Sequence, residues 1–174
     1  LNGDSLEDVV VSAPGATVAT HPAAGLVYGV FGASSATFGT LTTAAIPSPL
    51  PADDAEFGAA IAIGDVNGDS NPDLVVGEPG AVVGSGGAVR IFGGSGGSSP
   101  AFGNFQSLST NEAGSVVDLG ASVALADVDG DGDRDVIAGA PFGDVGVTGS
   151  EGYVIVFLNM NPQTGIFSSL APLI

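Results

Sequence analysis

The stretch FGAAIAIGDVNGDSNPDLVVGEPG, from Phe57 to Gly80, decides how this chain folds. A short apolar run leads into the nine-residue segment DVNGDSNPD, and a second apolar run, Leu74 to Val76, leads out of it. Oxygen-bearing side chains fall on odd positions of the nine-residue segment, at Asp65, Asn67, Asp69 and Asp73. Side chains of this kind, brought together in one turn, repel one another unless a cation lies among them. Calcium fits such a group, because it accepts six to eight oxygens from carboxylates, amides and backbone carbonyls.

The same stretch occurs twice more. LGASVALADVDGDGDRDVIAGAP, from Leu119 to Pro141, matches it almost position for position, and Asp127 lies 62 residues after Asp65. The chain also opens inside a third copy, NGDSLEDVVVSAPG, whose expected first aspartate would precede Leu1. Recurrence at a near-constant spacing predicts an array of similar structural units.

The shared spacing predicts the metal ligands. Gly68 and Gly130 let the chain curl round an ion where a side chain would crowd it. We expect each loop to add one backbone carbonyl, from Asn71 in the second loop and Asp133 in the third. The candidate ligands are Asn2, Asp4, Leu6 and Asp8 in the first loop, Asp65, Asn67, Asp69, Asn71 and Asp73 in the second, and Asp127, Asp129, Asp131, Asp133 and Asp135 in the third.

Three other interpretations of the acidic loops are weaker. An EF-hand needs a glutamate at its twelfth position and flanking helices, but the chain has Val76 and Ala138 there, with β-type flanks. Magnesium demands stricter octahedral geometry and dehydrates reluctantly. An Asx-rich turn without an ion does not explain three copies with the same oxygen spacing. We therefore expect two to three calcium ions with a structural role, each pinning a hairpin.

The rest of the sequence predicts an all-β fold. With 29 Gly and 11 Pro in 174 residues, short strands and tight turns are favoured over long helices. Short apolar runs recur in each unit, including Leu26 to Phe31, Ala88 to Phe92 and Gly152 to Leu158. An outer strand is expected at Thr37 to Thr43 and another at residues 102–109. Four short antiparallel strands in each repeat is the count of a β-propeller blade.

These units divide the chain into one propeller fragment, residues 1–174. Residues 1–50 form a partial blade with three strands, and residues 51–112 and 113–174 each form a whole blade. Two blades and part of a third are fewer than the roughly four to eight that close a ring. We therefore expect the chain to be part of a larger propeller, or to be completed by other copies of itself.

Charge and composition exclude several classes of function. The net charge is −17, from 19 acidic residues against Arg90 and Arg134. Such a chain cannot bind nucleic acid by releasing counterions, and it is repelled by anionic membranes. It has no cysteine, hence no disulfide or thiol nucleophile, and no apolar stretch approaches the ~20 residues of a membrane span. Exposed carboxylates suit salty or calcium-rich surroundings.

Other polar residues carry weaker signals. His21 has no obvious partner in the sequence and is interpreted as a surface loop residue. Asp53, Asp54 and Glu56, just before Phe57, are interpreted as a solvated edge rather than an accessory cation site. The glycines of residues 81–97 are interpreted as turns, since no lysine follows them as a phosphate-binding loop requires.

The motifs resemble the FG-GAP repeat of the integrin α-chain β-propeller and its bacterial relatives. Phe57-Gly58, the acidic loop and Gly77-Glu78-Pro79 form one copy, while Leu119-Gly120 with Gly139-Ala140-Pro141 forms a second. Ser12-Ala13-Pro14 is part of a third copy. The chain departs from the pattern at Leu119, in place of Phe, and at Glu78, in place of Ala. The resemblance implies calcium loops on one face of a propeller and partner-binding loops mainly on the other.

These observations favour an extracellular or cell-surface, calcium-binding module without catalysis of its own, acting in adhesion, surface architecture or assembly. The expected partners are another protein or further copies of the chain, and carbohydrate is a weaker possibility. The alternative is a module of a secreted enzyme that acts on carbohydrates or lipids. That role would require a carboxylate pair about 5–10 Å apart in a cleft, and no such pair stands out in the sequence.

Overall fold

Eleven strands form three antiparallel sheets in the computed structural model, which describes residues 4–32, 42–82, 86–94, 105–110, 117–144, 149, 151–161 and 166–170. The first sheet contains β1 (Val9–Ala13), β2 (Leu26–Phe31) and β3 (Thr42–Pro47), in that order. The second contains β4 (Ala60–Gly64), β5 (Asp73–Glu78), β6 (Ala88–Phe92) and β7 (Phe105–Leu108). The third contains β8 (Ser122–Ala126), β9 (Asp135–Ala140), β10 (Tyr153–Asn161) and β11 (Ile166–Ser169).

The predicted fold class is confirmed. Each sheet is a simple antiparallel meander of three or four strands, as expected of propeller blades, and the three sheets do not close into a ring. Both complete acidic loops lie between the first two strands of a four-stranded sheet, where Gly64 pairs with Asp73 and Ala126 pairs with Asp135. The described residues contain no helix long and apolar enough to cross a membrane.

The outer strand β3 differs from its predicted limits, whereas β7 lies within the predicted residues 102–109. The expected strand Thr37–Thr43 overlaps β3 only at its start, and residues 37–41 lie outside the described part of the chain. β3 continues to Pro47 because its register pairs Ile46 with Val27, which buries Ile46 between the first two sheets. A run of threonines and alanines gives no clear two-residue alternation, so its strand limits depend on this tertiary contact.

The sheets stack in chain order, and each interface is an apolar cluster. Between the first and second sheets, Val27 and Ile46 pack with residues of the following sheet. There Phe57 meets Phe92 edge to face, with ring centroids 5.9 Å apart. Between the second and third sheets the cluster is formed by Val66, Val75, Val89, Ile91, Leu119, Val136, Ala138, Ile155 and Phe157, among others.

Alternate residues of a strand thus face different neighbours. We call the side of a sheet that packs on the preceding sheet its trailing face, and the opposite side its leading face. In β5 the side chains of Leu74 and Val76 lie on the trailing face, and Val75 lies on the leading face. This assignment follows from the two-residue period of a strand.

The Gly of each FG motif lies where neighbouring sheets approach closely. Gly120 follows Leu119, has φ of +94°, and sits against the backbone of the second sheet. A side chain at Gly77 would overlap the carbonyl oxygen of Gly120. Glycine is therefore required on both sides of this contact, since only glycine permits the approach and readily adopts positive φ. Leu119 replaces the phenylalanine of the motif and is fully buried in the same interface.

Candidate metal centre

The acidic loop of the second sheet is organised by its own aspartates. The carboxylate of Asp65 accepts hydrogen bonds from the backbone N–H of Gly68 at 2.7 Å and of Ser70 at 2.8 Å. Gly68 and Ser70 both have positive φ, at 73° and 69°. The carboxylate therefore caps a tight turn, which fixes the positions of the following ligand candidates.

Asp73 closes the loop from inside the protein. One carboxylate oxygen accepts from the N–H of Val66 at 2.7 Å and of Asn67 at 3.0 Å, and the other accepts from Gly94 at 2.8 Å. Asp73 has no exposed surface. It connects the loop to the end of β6 and holds Val66 in the interface with the third sheet.

The loop of the third sheet repeats this arrangement. Asp127 accepts from the N–H of Gly130 at 2.7 Å and of Gly132 at 3.0 Å. The buried Asp135 accepts from Val128 at 2.7 Å and from Asn159 at 2.9 Å. Two loops with different intervening residues therefore fold by the same hydrogen bonds, because their oxygen-bearing positions coincide.

The first loop keeps the part of the pattern that the structure describes. Asp8 accepts from the N–H of Gly32 at 3.0 Å, the same bond that Asp73 makes with Gly94. Asp4 accepts from Leu6 at 2.8 Å, as Asp69 does from the N–H of Asn71 at 2.7 Å. Asn2 lies outside the described residues.

The third loop brings three predicted ligands together. Carboxylate oxygens of Asp127, Asp129 and Asp135 all lie within 4.8 Å of one another. Asp131 and Asp133 do not belong to this trio. The backbone N–H of Asp133 donates to the carboxylate of Asp131 at 2.9 Å. In the second loop the side-chain amide of Asn67 donates to Asp69 at 3.1 Å. Converging carboxylate oxygens are the ligands of a hard divalent cation such as calcium, so the residues present fit that ion.

The electrostatics of both loops favour a bound cation. Burial raises the pKa of Asp73, and nearby Asp69 raises it further, while hydrogen bonds from three backbone N–H groups oppose the rise. Partial desolvation raises the pKa of Asp133, with added repulsion chiefly from Asp131 and Asp127. In metal-free protein, the stability contributed by a carboxyl group with a raised pKa is lost as the pH rises through that pKa. A cation would offset this loss by stabilising the ionised form.

The two complete loops are connected through Asn159. Its backbone N–H bonds to Asp135, while its buried side-chain amide donates to the carbonyl oxygens of Val66, at 2.7 Å, and of Arg134, at 3.3 Å. The negative charge of Asp65 in the second-sheet loop also raises the pKa of Asp133 in the third-sheet loop, so the two loops repel each other electrostatically. One side chain of the third sheet therefore ties together the backbones of both acidic loops.

We expect Asn159→Ala to lower the free energy of unfolding by about 1–3 kcal/mol, because the buried Val66 carbonyl loses its partner. Urea denaturation of the purified chain measures this change. Met160→Ala is the matched control, since Met160 follows in the same strand and is exposed. Equal stability of the two variants would show that the Asn159 amide does not hold the loops.

The remaining sequence candidates lie away from the loops. His21 does have a partner, since its Nδ1 lies 2.9 Å from a carboxylate oxygen of Asp53, which sequence inspection missed. Both side chains are at least partly exposed, and Asp54 and Glu56 are exposed as well. These positions match the predicted solvated edge.

A second feature that the sequence did not reveal is a buried polar network beside the interface of the first two sheets. Arg90 Nε donates to Glu78 at 2.6 Å, and Arg90 Nη1 donates to the Ser107 hydroxyl at 2.7 Å. The Ser48 hydroxyl donates to the other Glu78 oxygen. Glu78 and Arg90 are almost completely buried. The sequence offered one sign of this network: Glu78 takes the place of the alanine of the motif, in a chain that has only two arginines.

Comparison with protein families supports the repeats. The FG-GAP repeat model matches residues 57–92, from Phe57 to the end of β6, and residues 119–157, the equivalent part of the third sheet. Comparison with curated proteins gives no match. The family model thus identifies two FG-GAP repeats in this chain, one in each of its four-stranded sheets.

Proposed function

We propose that this chain is a calcium-stabilised β-propeller-type module without catalysis of its own, which works outside the cell or at its surface in adhesion, surface architecture or assembly. The observation that carries the calcium assignment is the convergence of Asp127, Asp129 and Asp135 within 4.8 Å. The same hydrogen-bonded loop occurs in the second sheet, and FG-GAP repeats often bind calcium.

The position of the loops supports a structural role for the ions. Each complete loop connects the first two strands of a sheet, and its last aspartate is buried against the backbone of the third strand. An ion bound there would join three strands of one sheet. Because the second-sheet loop also contributes Val66 to the interface with the third sheet, ion binding would stabilise the stacking as well.

The charge of the chain supports the extracellular location that we propose. Extracellular calcium modules bind with dissociation constants of about 10⁻⁴–10⁻³ M, which cytosolic calcium does not fill. With a net charge of −17, the chain gains from divalent ions that reduce its self-repulsion. The adhesive or assembly role is supported by the resemblance to integrin α-chain propellers.

The test is calcium titration of the metal-free protein, followed by calorimetry and thermal unfolding. Each site filled to ~100 times its dissociation constant should add about 2.7 kcal/mol to the stability of the folded state. For a chain of this size that corresponds to roughly 2–4 °C in melting temperature for each kcal/mol. Magnesium at the same concentration should have a smaller effect.

Asp127→Asn should remove the calcium response of the third-sheet loop, because the replaced oxygen belongs to the converging trio. Asp54→Asn is the matched control, since Asp54 is an exposed aspartate outside the loops. A melting temperature that neither calcium nor a chelator changes would contradict the proposal.

A further inference from the structure

One side chain of the third sheet extends to the acidic loop of the second sheet. Arg134 lies in the third-sheet loop, directly before Asp135. A Cβ placed on Gly64 would lie 3.1 Å from the Cδ of Arg134 and 3.3 Å from its Nε. Gly64 ends β4 and directly precedes Asp65, the first residue of the second-sheet loop. The guanidinium of Arg134 therefore lies beside the strand end from which that loop starts.

Comparison of the two repeats shows that Gly64 and Arg134 are matched to each other. The third sheet has Ala126 at the position of Gly64, since each residue ends its strand and pairs with the last aspartate of its loop. The second loop has Pro72 at the position of Arg134. The backbone of Gly64 does not require glycine, because its φ is not positive. The room that the missing side chain leaves is instead occupied by Arg134.

The backbone of Arg134 is held at the same interface. Its carbonyl oxygen accepts from the buried side-chain amide of Asn159 at 3.3 Å. The same amide donates to the carbonyl oxygen of Val66, in the second-sheet loop, at 2.7 Å. The point from which the Arg134 side chain starts is therefore fixed relative to the second loop by hydrogen bonds, in addition to the side-chain contact with Gly64.

The positive charge of Arg134 has no counterpart near the loops. The chain contains two arginines and no lysine, and the other arginine, Arg90, is buried in its ion pair with Glu78. A guanidinium stays ionised at any pH at which a protein is folded. Within the part of the chain that the structure describes, Arg134 forms no ion pair of its own. Its charge is therefore available to the acidic loops as a whole.

We propose that Arg134 sets the calcium affinity of the second-sheet loop, by placing a fixed positive charge beside it from across the interface. This inference deepens the proposed function and rests on it, since it concerns a loop that binds calcium. A positive charge beside a cation site opposes the entry of the ion, and it attracts the carboxylates of the site when the ion is absent. Arg134 therefore weakens calcium binding and stabilises the metal-free loop, although it is not itself a ligand.

Two further observations support this role. Besides partial desolvation and the charges of its own loop, the negative charge of Asp65 raises the pKa of Asp133, the residue directly before Arg134. Because Coulomb interactions are mutual, a charge at residue 134 acts on the second loop in return. In addition, the affinity of calcium-binding loops is known to depend on the charge of the site. One positive charge added from a neighbouring sheet therefore changes the affinity of the loop.

The experiment measures calcium binding to the second loop by itself. Asp127→Asn serves as the background, because it removes a ligand from the third loop and leaves the second-loop aspartates unchanged. Titration calorimetry at low salt then compares this background with the same chain carrying Arg134→Met. Methionine keeps an unbranched side chain beside Gly64 but removes the charge. We expect the calcium affinity to rise about two- to fivefold, and the difference to disappear in about 1 M salt, where the screening length is about 3 Å.

Two more variants in the same background separate local charge from packing and from net charge. Arg134→Lys keeps the positive charge, so its calcium affinity should equal that of the background. Val82→Glu changes the net charge by one unit, as Arg134→Met does, but Val82 lies beyond the end of β5 that is remote from the acidic loop. Val82 is also 86% exposed, so the substitution does not disturb the core. An affinity that rose as much in Val82→Glu as in Arg134→Met would overturn the proposal.

Stability in chelator provides a second measurement that does not need calcium. Arg134→Met should unfold at a lower urea concentration than the background in chelator and low salt, while it binds calcium more tightly. A purely structural role for Arg134 would instead lower both quantities. Equal calcium affinities with and without Arg134, with binding intact, would contradict this inference alone. Absence of calcium binding in every variant would contradict the proposed function, and a salt-dependent stability difference in chelator would then still show that the charge of Arg134 acts on the loop.

Discussion

Glu78→Ala should lower the free energy of unfolding by about 3–5 kcal/mol, the cost of removing one partner from a buried ion pair. Arg90 is 1% exposed and donates to Glu78 from Nε at 2.6 Å, so the substitution leaves a guanidinium without its counter-charge inside the protein. The Ser48 hydroxyl, which reaches Glu78 from the end of the first sheet, loses its acceptor as well. Urea denaturation followed by circular dichroism measures the loss.

The third sheet provides the matched control for this prediction. At the positions equivalent to Glu78 and Arg90 it has Ala140 and Ile155, both buried in an apolar interface. The double variant Glu78→Ala with Arg90→Ile should therefore recover most of the lost stability, since apolar residues often replace a buried ion pair at little cost. A double variant no more stable than Glu78→Ala alone would show that the charge of Arg90 is not the source of the loss.

The meander and its repeats could be predicted from the sequence because their causes are local. Each acidic loop separates two apolar runs. In the second sheet the loop therefore determines where β4 ends and where β5 begins. The aspartate spacing also predicts the loop conformation, since the side chain of Asp65 bonds to backbone N–H groups three and five residues later. Such bonds depend on spacing alone.

The remaining contacts depend on how sheets stack, which no local pattern encodes. Asn159 reaches the carbonyl of Val66, 93 residues earlier, and Ser48 reaches Glu78 across 30 residues. The position equivalent to Asn159 in the second sheet is Gly94, so the repeat gives no hint of the link. His21 and Asp53 likewise meet only because the loop before Phe57 pairs with the segment after His21.

The repeat becomes most informative when equivalent positions differ in burial. Val66 and Val128 have the same residue type, the same loop position and opposite exposure. The sequence alone predicts the same burial for both valines. Their burial differs because it depends on whether a neighbouring sheet packs on the loop, and not on the residues of the repeat itself.

Asp73→Ala is expected to destabilise the chain even in a chelator, by about 3 kcal/mol or more, because each buried N–H group left without a partner costs roughly 1–3 kcal/mol. Asp73 has no exposed surface and accepts hydrogen bonds from the backbone N–H groups of Val66, Asn67 and Gly94, which all lose their acceptor in the variant. Thermal and urea unfolding with and without calcium measure the two contributions separately.

Asp69→Ala is the matched comparison within the same loop. Asp69 is also a candidate calcium ligand, but it is exposed, and water can take over its bonds to Asn67 and Asn71. Its loss should therefore weaken calcium binding while changing the metal-free stability by less than about 1 kcal/mol. If Asp73→Ala were no less stable than wild type in chelator, the buried aspartate would have no structural role apart from the metal. The prediction thus separates two roles of one loop: the calcium binding that we propose for it, to which exposed Asp69 would contribute, and the organisation by buried Asp73 of the backbone on which the sheet and its neighbour depend.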